Sequence, residues 1–390
     1  MSLSNDTDNG HAELGHRLRT EVLEPMKAAF VAKDEVIDLL GACLIAGENL
    51  FILGPPGTAK TALVQDLAAR IDGRVFDYLL TRFTEPNELF GPFDIRRLRE
   101  GELVTNTEGM LPEASLVFLD ELLNANSAIL NSLLLVLNER VFRRGRETRA
   151  LPLLMAVGAS NHLPEDDALG ALFDRFLMRV RCDNIAAERL LELLVSGWKL
   201  DLADARPEAR FRIDDVRRLH RMLRQVDLTG VRPAYVELIQ RLRYAGIAIS
   251  DRRAVKLQRL MAASALLCGR LTVHATDAWV LRYIWDTEDQ QEVLASLVQD
   301  AVDKGRTEDQ TTLHPRSRGA DAPDADCLAR DLQHIAEHLA AGQLPSTEQT
   351  YLKDRLGLLA GRCQWVADPQ QRRFLEQQVE ALWKQMGVAS

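Results

Sequence analysis

The sequence predicts an α/β fold: a parallel sheet flanked by helices, then an all-helical domain and a short helical tail. Three observations carry this. Short apolar runs at Leu50–Leu53, Val75–Leu80, Leu116–Leu119, Leu151–Ser160 and Leu177–Cys182 alternate with helical stretches up to about residue 185. That is how a buried parallel sheet is written. Beyond Ile185 the strand signals stop, and apolar residues recur at helical intervals to about residue 300. Finally, the first apolar run breaks into Gly54-Pro-Pro-Gly-Thr-Ala-Lys-Thr61 before a helix, a unit that turns backbone N–H groups toward an anion.

Taken in order, residues 1–13 are a polar tail, 14–185 the α/β domain, 186–300 the helical domain, 301–326 a polar linker and 327–390 a helical segment. Leu14, Leu18, Val22 and Met26, then Val36, Ile37, Leu40 and Leu44, predict two helices before the first strand. Thr81 to Glu108 reads as an insertion with a hairpin-like piece at Gly101–Val104. Ala128 to Leu137 is an apolar helix, and the arginine-rich Glu139–Arg149 that follows is expected to be a β-hairpin. In the second domain Leu190/Leu191/Leu194, Val216/Leu219/Leu223, Val236/Ile239/Leu242, Val255/Leu257/Leu260/Met261 and Trp279/Leu281/Ile284 mark helical patterns. The tail carries three more, at Leu328–Leu339, Leu352–Cys363 and Leu375–Met386. They fit equally a self-packed bundle and a partner site.

Composition narrows the function classes. A chain of 390 residues with 46% hydrophobic and 27% charged residues is an ordinary soluble protein of two or three domains. Its net charge of −9 argues against nonspecific nucleic-acid binding over the whole surface. Cys43, Cys182, Cys268, Cys327 and Cys363 are scattered with no C-x-x-C pair, as expected of free thiols in a reducing compartment. The N-terminus lacks the basic and apolar regions of a signal peptide, and the longest apolar runs are too short to span a membrane. A soluble, cytoplasmic protein is expected.

The loop supplies the first chemistry. Gly54, Pro55, Pro56, Gly57, Thr58 and Ala59 form a phosphate cradle, Lys60 adds a point charge at the β/γ-phosphates, and the Thr61 hydroxyl can ligate Mg²⁺. The strict pattern has Gly where this chain has Ala59, which is acceptable while the local φ stays negative. Asp120-Glu121 at the end of a buried strand complements the loop: Asp120 for the Mg²⁺ shell, Glu121 to polarise a water for attack on the γ-phosphate. Asn161 either hydrogen-bonds that water or forms an Asx turn before Pro164. Arg175 is either an arginine finger for a neighbouring subunit or half of a surface pair with Asp174. Arg252 and Arg253 begin a helix, either able to reach a γ-phosphate or simply solvated. The cluster Arg140, Arg143, Arg144, Arg146 and Arg149 reads as an interface or partner surface, or as a solvated hairpin.

In this order the motifs resemble those of the AAA+ ATPase superfamily and, within it, the MoxR family. Gly54–Thr61 is similar to that family's Walker A, where Ala before Lys is usual, and Leu116–Glu121 to its Walker B. Asn138-Glu-Arg-Val-Phe142 with Gly145 resembles the hairpin before sensor 1, Ala159-Ser-Asn161 sensor 1, Asp174-Arg175-Phe176 the arginine-finger segment, and Ser250-Asp251-Arg252 sensor 2. Phe90-Gly91-Pro92, Gly109-Met-Leu-Pro-Glu113 and Thr81-Arg-Phe83 are closest to the RavA-like branch, whose longer β-containing C-terminal region this chain does not share. The resemblance covers about residues 12–285. It implies a ring, a hexamer, with ATP between subunits, Lys60, Thr61, Asp120, Glu121, Asn161 and Arg252 acting in cis and Arg175 in trans. It further implies a von Willebrand factor A-domain partner and a protein client to be remodelled. A nucleic-acid-directed motor of a defence or restriction system, using the arginine hairpin, is the alternative. A third reading is a nucleotide switch with little turnover, against which Asp120-Glu121 speaks.

Overall fold

The computed structural model describes residues 13–306 except 101–102, 145–146, 165–166 and 203–208, then 312–318, positions scattered through 328–366, and 369–386. It divides into two compact units, residues 1–314 and 315–390.

The first unit opens with a helix over residues 13–29 (α1) that contains a π turn, Arg19–Leu23, and buries Leu18, Val22, Leu23 and Met26. Helix α2 (Asp34–Ala46) buries its whole length beyond Glu35 and ends on Gly47 at φ 64, the left-handed cap that glycine adopts without penalty. It feeds β1 (Leu50–Leu53), buried on both faces. The loop follows, then α3 (Lys60–Arg70), β2 (Val75–Leu79), short helices α4 (Pro86–Phe90) and α5 (Ile95–Arg99), and β3 (Leu116–Asp120). Next come α6 (Ser127–Glu139), the hairpin β4 (Val141–Arg144) and β5 (Glu147–Ala150), β6 (Met155–Ser160), α7 (Asp167–Phe173) and β7 (Met178–Arg181).

The five core strands are all parallel, in the order β2-β3-β6-β1-β7. Their apolar side chains share one core with the flanking helices, as a parallel sheet covered on both faces requires. Strand β6 starts at Met155 rather than Leu151, because Pro152 lacks the N–H a ladder needs. Among the described residues the insertion expected at 81–108 consists of α4, α5 and one antiparallel bridge, Phe93 to Thr105; residues 101–102 of the expected hairpin lie outside them.

After β7 the chain is helical: α8 (Leu190–Asp201), α9 (Ile213–Met222), α10 (Arg232–Tyr244), α11 (Asp251–Leu267), a 3-10 stretch Ala275–Tyr283, and α12 (Gln290–Lys304). Within these helices Leu190, Leu191 and Leu194 are exposed, as are Val236 and Val255, whereas Ile239, Leu242, Leu257 and Leu260 are buried. One expectation needs correction here. The stretch expected as linker from residue 301 begins as the end of α12, and Leu313 and His314 are buried, His314 stacked 4.4 Å from Trp279. Residues 307–311 and 319–327 of that stretch lie outside the described residues.

In the second unit Leu328, Leu332 and Ile335, then Leu352, Leu356, Leu359 and Cys363, then Leu375, Val379 and Leu382, close on one another as a core of their own. Of the two readings of the tail, the described residues form the self-packed bundle. Cys43, Cys182, Cys268 and Cys363 are free thiols, Cys327 lies outside the described residues, and no helix among the described residues is long and apolar enough to cross a membrane.

Candidate nucleotide-binding site

The carboxyl ends of β3, β6 and β1 lie side by side, and the candidate residues collect there. Leu53 is in register with Ser160, and Leu119 with Gly158, so Asp120-Glu121, Ser160-Asn161 and Gly54 follow one edge. At about 4.8 Å between strands, the carboxylates stand roughly 10 Å from the loop's own strand. Gly54 N donates to Ser160 O at 3.0 Å, fastening the loop to this edge. A Cβ on Gly54 would meet the Cys182 carbonyl at 2.2 Å, so the close approach of β1 and β7 demands glycine.

The loop suits an anion. Gly57 has φ 80 with nothing within 4 Å of where a Cβ would point, so the backbone there faces open space. Lys60 is buried and donates to the carbonyls of Gly54 at 2.9 Å and Pro55 at 3.0 Å, which holds a cation across the loop. Thr61, the second residue of α3, is half-buried. Ala59 has φ 68, against the expectation of a negative angle, because the chain must turn through the left-handed region to start the helix at Lys60. Glu121 is likewise left-handed at φ 49, and its N–H donates to Asp120 Oδ1 at 3.0 Å. Asn161 is exposed just beyond β6. Together these residues offer N–H donors, an ammonium, a hydroxyl and two carboxylates, the donor set that suits a nucleotide and a hard divalent cation.

Beside the loop lies a cavity of about 920 Å³, within the range of small-ligand sites. Phe30, Val31 and Lys33 line one wall, and Ile185 with the Leu193, Gly197 and Leu200 side of α8 another. The sequence reading missed these residues. Their only signal is an apolar pair before a lysine, too common to single out.

Arg175 is elsewhere. It sits between α7 and β7 at the amino end of the sheet, where its carbonyl accepts from Asn49 Nδ2 at 3.0 Å, directly before β1. A strand of four residues at about 3.3 Å each puts it roughly 13 Å or more from the loop. Phe173 and Phe176 pack edge-on against Phe51 at 4.9 and 5.9 Å and hold the turn. Arg175 stands 3.8 Å from Asp174, too far for a hydrogen bond, and its buried Nε has no hydrogen-bond partner among the described residues.

Arg252 and Arg253 separate sharply. Arg253 is buried, donating to Ala248 O at 2.9 Å, to both oxygens of Asp286 and to Ile284 O, whereas Arg252 is exposed. The start of α11 groups with the Arg175 turn rather than with the loop. Lys256 and Arg259, farther along α11, pair with the buried Glu48 at 2.7 and 3.3 Å, next to Asn49. Arg179 bridges Asp286 to the Phe173 carbonyl. Burial pushes the Arg179 guanidinium down to about 9, with nearby Arg253 adding to the fall and Asp286 opposing it.

The arginine hairpin is not a free cationic face. Arg140 donates to Asn49 Oδ1 at 2.7 Å, and burial lowers its pKa to about 10. Arg144 bonds Asn87 and Gly91 and lies 3.9 Å from the Phe93 ring centre. Arg149 donates to Thr107, and Arg143 pairs with Glu139. Arg140, Arg144 and Arg149 are engaged as struts, Arg143 is left in an exposed pair, and Arg146 lies outside the described residues.

Residues 16–221 match the family model described as the MoxR domain in the MoxR-vWA-beta-propeller ternary systems, and residues 230–298 match an AAA lid domain. An uncharacterised protein of Methanocaldococcus jannaschii is 36% identical over 295 residues, 75% of this chain and 76% of that one. A second uncharacterised protein of that organism is 35% identical over 273 residues, covering 69% and 72%. In fold, the chain is similar to a Cytophaga hutchinsonii crystal structure described as a candidate ATPase, with a TM-score of 0.63 at 18% identity over 77% of this chain and 98% of that one.

Proposed function

The chain belongs to the MoxR family of AAA+ ATPases, and from that premise we propose that it hydrolyses ATP at sites completed between copies in a ring, to remodel a protein client. The observation that carries this is the separation of Arg175 from the loop by the length of the sheet. One chain holds the phosphate cradle and the carboxylates at one end and the finger at the other, so no single copy has a complete site.

In this reading the loop N–H groups and Lys60 hold the phosphates of ATP. Glu121 orients and polarises the attacking water, and Asn161 hydrogen-bonds that water or the γ-phosphate. Mg²⁺, held by Thr61 and Asp120, would neutralise charge on the β- and γ-phosphates when bound. Arg175 from the neighbouring copy stabilises the charge of the transition state. Since α11 starts beside the Arg175 turn, Arg252 is assigned to act in trans with it, in place of the cis role expected from the sequence.

The ring size proposed is six. The matched family model's description names vWA systems, which supports a von Willebrand factor A-domain partner; the client-remodelling role and a cytoplasmic location are proposed with it from the resemblance. The spent arginines of the hairpin speak against the nucleic-acid motor.

Subunit mixing tests the site. Lys60→Ala has arginines but no working cradle, and Arg175→Ala has the reverse. Each alone is expected to be inactive, and the mixture to recover ATP turnover at composite sites. Mixing Lys60→Ala with Arg252→Ala tests the second arginine in the same way. No recovery with either pair would refute the trans site. Capture of partners on Glu121→Gln, expected to stall with ATP bound, tests the client role. Recovery of nucleic acid with nuclease subunits would favour the alternative.

A further inference from the structure

We propose that Asp286 is a positioning residue that locks the turn carrying Arg175 to the helix start carrying Arg252, so that both arginines enter a neighbour's site as one unit. The inference rests on the trans reading above.

The lock is built from two arginines on one carboxylate. Arg179 leaves β7 and donates to Asp286 Oδ1 at 2.6 Å, to the carbonyls of Trp285 at 2.9 Å and Ile284 at 3.2 Å, and to Phe173 O at 3.4 Å. Its guanidinium carbon lies 4.2 Å from the centre of the Phe173 ring. Phe173 ends α7, two residues before Arg175. From the other side Arg253 donates to Asp286 Oδ2 at 3.1 Å and Oδ1 at 3.2 Å, and to Ile284 O. Its backbone N–H is held by the capping hydroxyl of Ser250 at 3.2 Å, which fixes the turn that also carries Arg252.

Charge explains why a carboxylate is needed. Two guanidiniums converge on residues 284–286, and Arg179 is fully buried. Without Asp286 they repel each other where water cannot screen them, and both cannot stay on the same carbonyls. Planar guanidiniums transmit position well, because several fixed donors leave little freedom to swivel. Neither Arg179 nor Arg253 is assigned any contact with nucleotide. Their effect is to make the placement of Arg175 depend on that of Arg252.

A double-mutant cycle reads this directly. ATP turnover of the assembled full-length protein is measured for Arg175→Ala, Arg252→Ala and the pair, in the wild-type and Asp286→Asn backgrounds. Locked arginines give losses that do not multiply. In the wild-type background the pair is expected to lose at least ~5-fold less than the product of the two single losses. In Asp286→Asn the losses are expected to multiply. Asp286→Glu, which keeps the charge, should restore part of the interaction, as a merely structural defect would not. If Asp286→Asn fails to fold, Arg179→Lys keeps a charge but loses the fork, and is expected to uncouple the pair in the same way. Multiplying losses in the wild-type background, or an undiminished interaction in both variant backgrounds, would overturn the lock while leaving the trans roles intact. If Arg175→Ala and Arg252→Ala singly leave turnover unchanged, the trans reading itself fails and takes the lock with it.

Discussion

Asn49 holds Arg175 by its backbone: the Asn49 side-chain amide donates to the Arg175 carbonyl at 3.0 Å. Its oxygen accepts from Arg140 at 2.7 Å and from the Ala156 N–H at 3.2 Å. One buried amide thus joins the Arg175 turn, the start of the hairpin and β6 ahead of β1. Asn49→Ala strands a buried guanidinium, and should cost about 2–3 kcal/mol in urea unfolding. It also frees the turn, so kcat should fall roughly 10-fold, since small misplacement of a catalytic group is expensive. ATP affinity, set at the opposite end of the sheet, should hold. A loss of ATP affinity as large as the loss of kcat would contradict this separation of ends.

The paired carboxylates and the loop lysine make the second prediction. Lys60→Ala should abolish detectable nucleotide binding, because the cation that spans the loop is lost. Glu121→Gln keeps the shape and the left-handed backbone at that position but cannot polarise water as a carboxylate does. Its turnover should drop by about 10²-fold or more while ATP affinity stays within a few-fold. Equilibrium binding of a fluorescent ATP analogue beside steady-state turnover separates the two. Near-normal turnover in Glu121→Gln would remove that residue from the chemistry.

Ala59 carries a strain that glycine would relieve. A left-handed L-residue costs about 1–2 kcal/mol, and φ is 68 here. Glycine returns roughly 0.5–1 kcal/mol of that through its freer unfolded chain. Ala59→Gly should therefore raise stability by about 0.5–1 kcal/mol, read as a small rise in Tm. A fall in Tm would mean that the methyl packs usefully enough to outweigh the strain.

What the sequence made legible follows from distance along the chain. β1 and β3 were readable because both faces are buried, leaving continuous apolar runs between loops. The loop and Asp120-Glu121 were readable because each is a contiguous motif whose residue types match one chemistry. The networks around Arg175 were not, because their members are remote in sequence. Asn49 and Arg175 stand 126 residues apart, and Arg179 and Asp286 107. Arg179 and Arg181 alternate with Met178 and Val180 in the strand, and nothing in that pattern says which arginine is buried. The leucines of α8 gave the helix but not its surroundings: helical spacing signals an apolar face without saying what covers it, and here Leu190, Leu191, Leu194 and Trp198 are exposed.

His220 gives the pH prediction. Its Nε2 lies 2.7 Å from Leu44 O, and burial lowers its pKa below the usual 6.5, with Arg259, Arg140 and Arg217 adding to the fall. The folded state therefore resists protonation more than the unfolded chain does. Its contribution is fully present above the unfolded value of about 6.5 and declines as pH falls through the depressed folded value. Urea midpoints measured from pH 8 to pH 5 should fall faster for the wild type than for His220→Gln. Parallel curves would show that other groups govern the acid side.

Arg144 tests whether the hairpin arginines are struts or a cationic surface. It donates to Gly91 O at 2.7 Å and to Asn87, and stacks on Phe93, tying β4 to the insertion between β2 and β3. Arg143, one residue earlier, makes only an exposed pair with Glu139 at 3.1 Å among the contacts of the described residues. Arg144→Ala should lose two hydrogen bonds and the ring contact, about 1–2 kcal/mol after allowance for partial exposure. Arg143→Ala should stay within about 0.5 kcal/mol. A nucleic-acid surface predicts the reverse emphasis: both variants would weaken oligonucleotide binding, and that binding would fall steeply with salt. Equal stability of the two variants, together with such salt-sensitive binding, would overturn the strut reading and revive the motor.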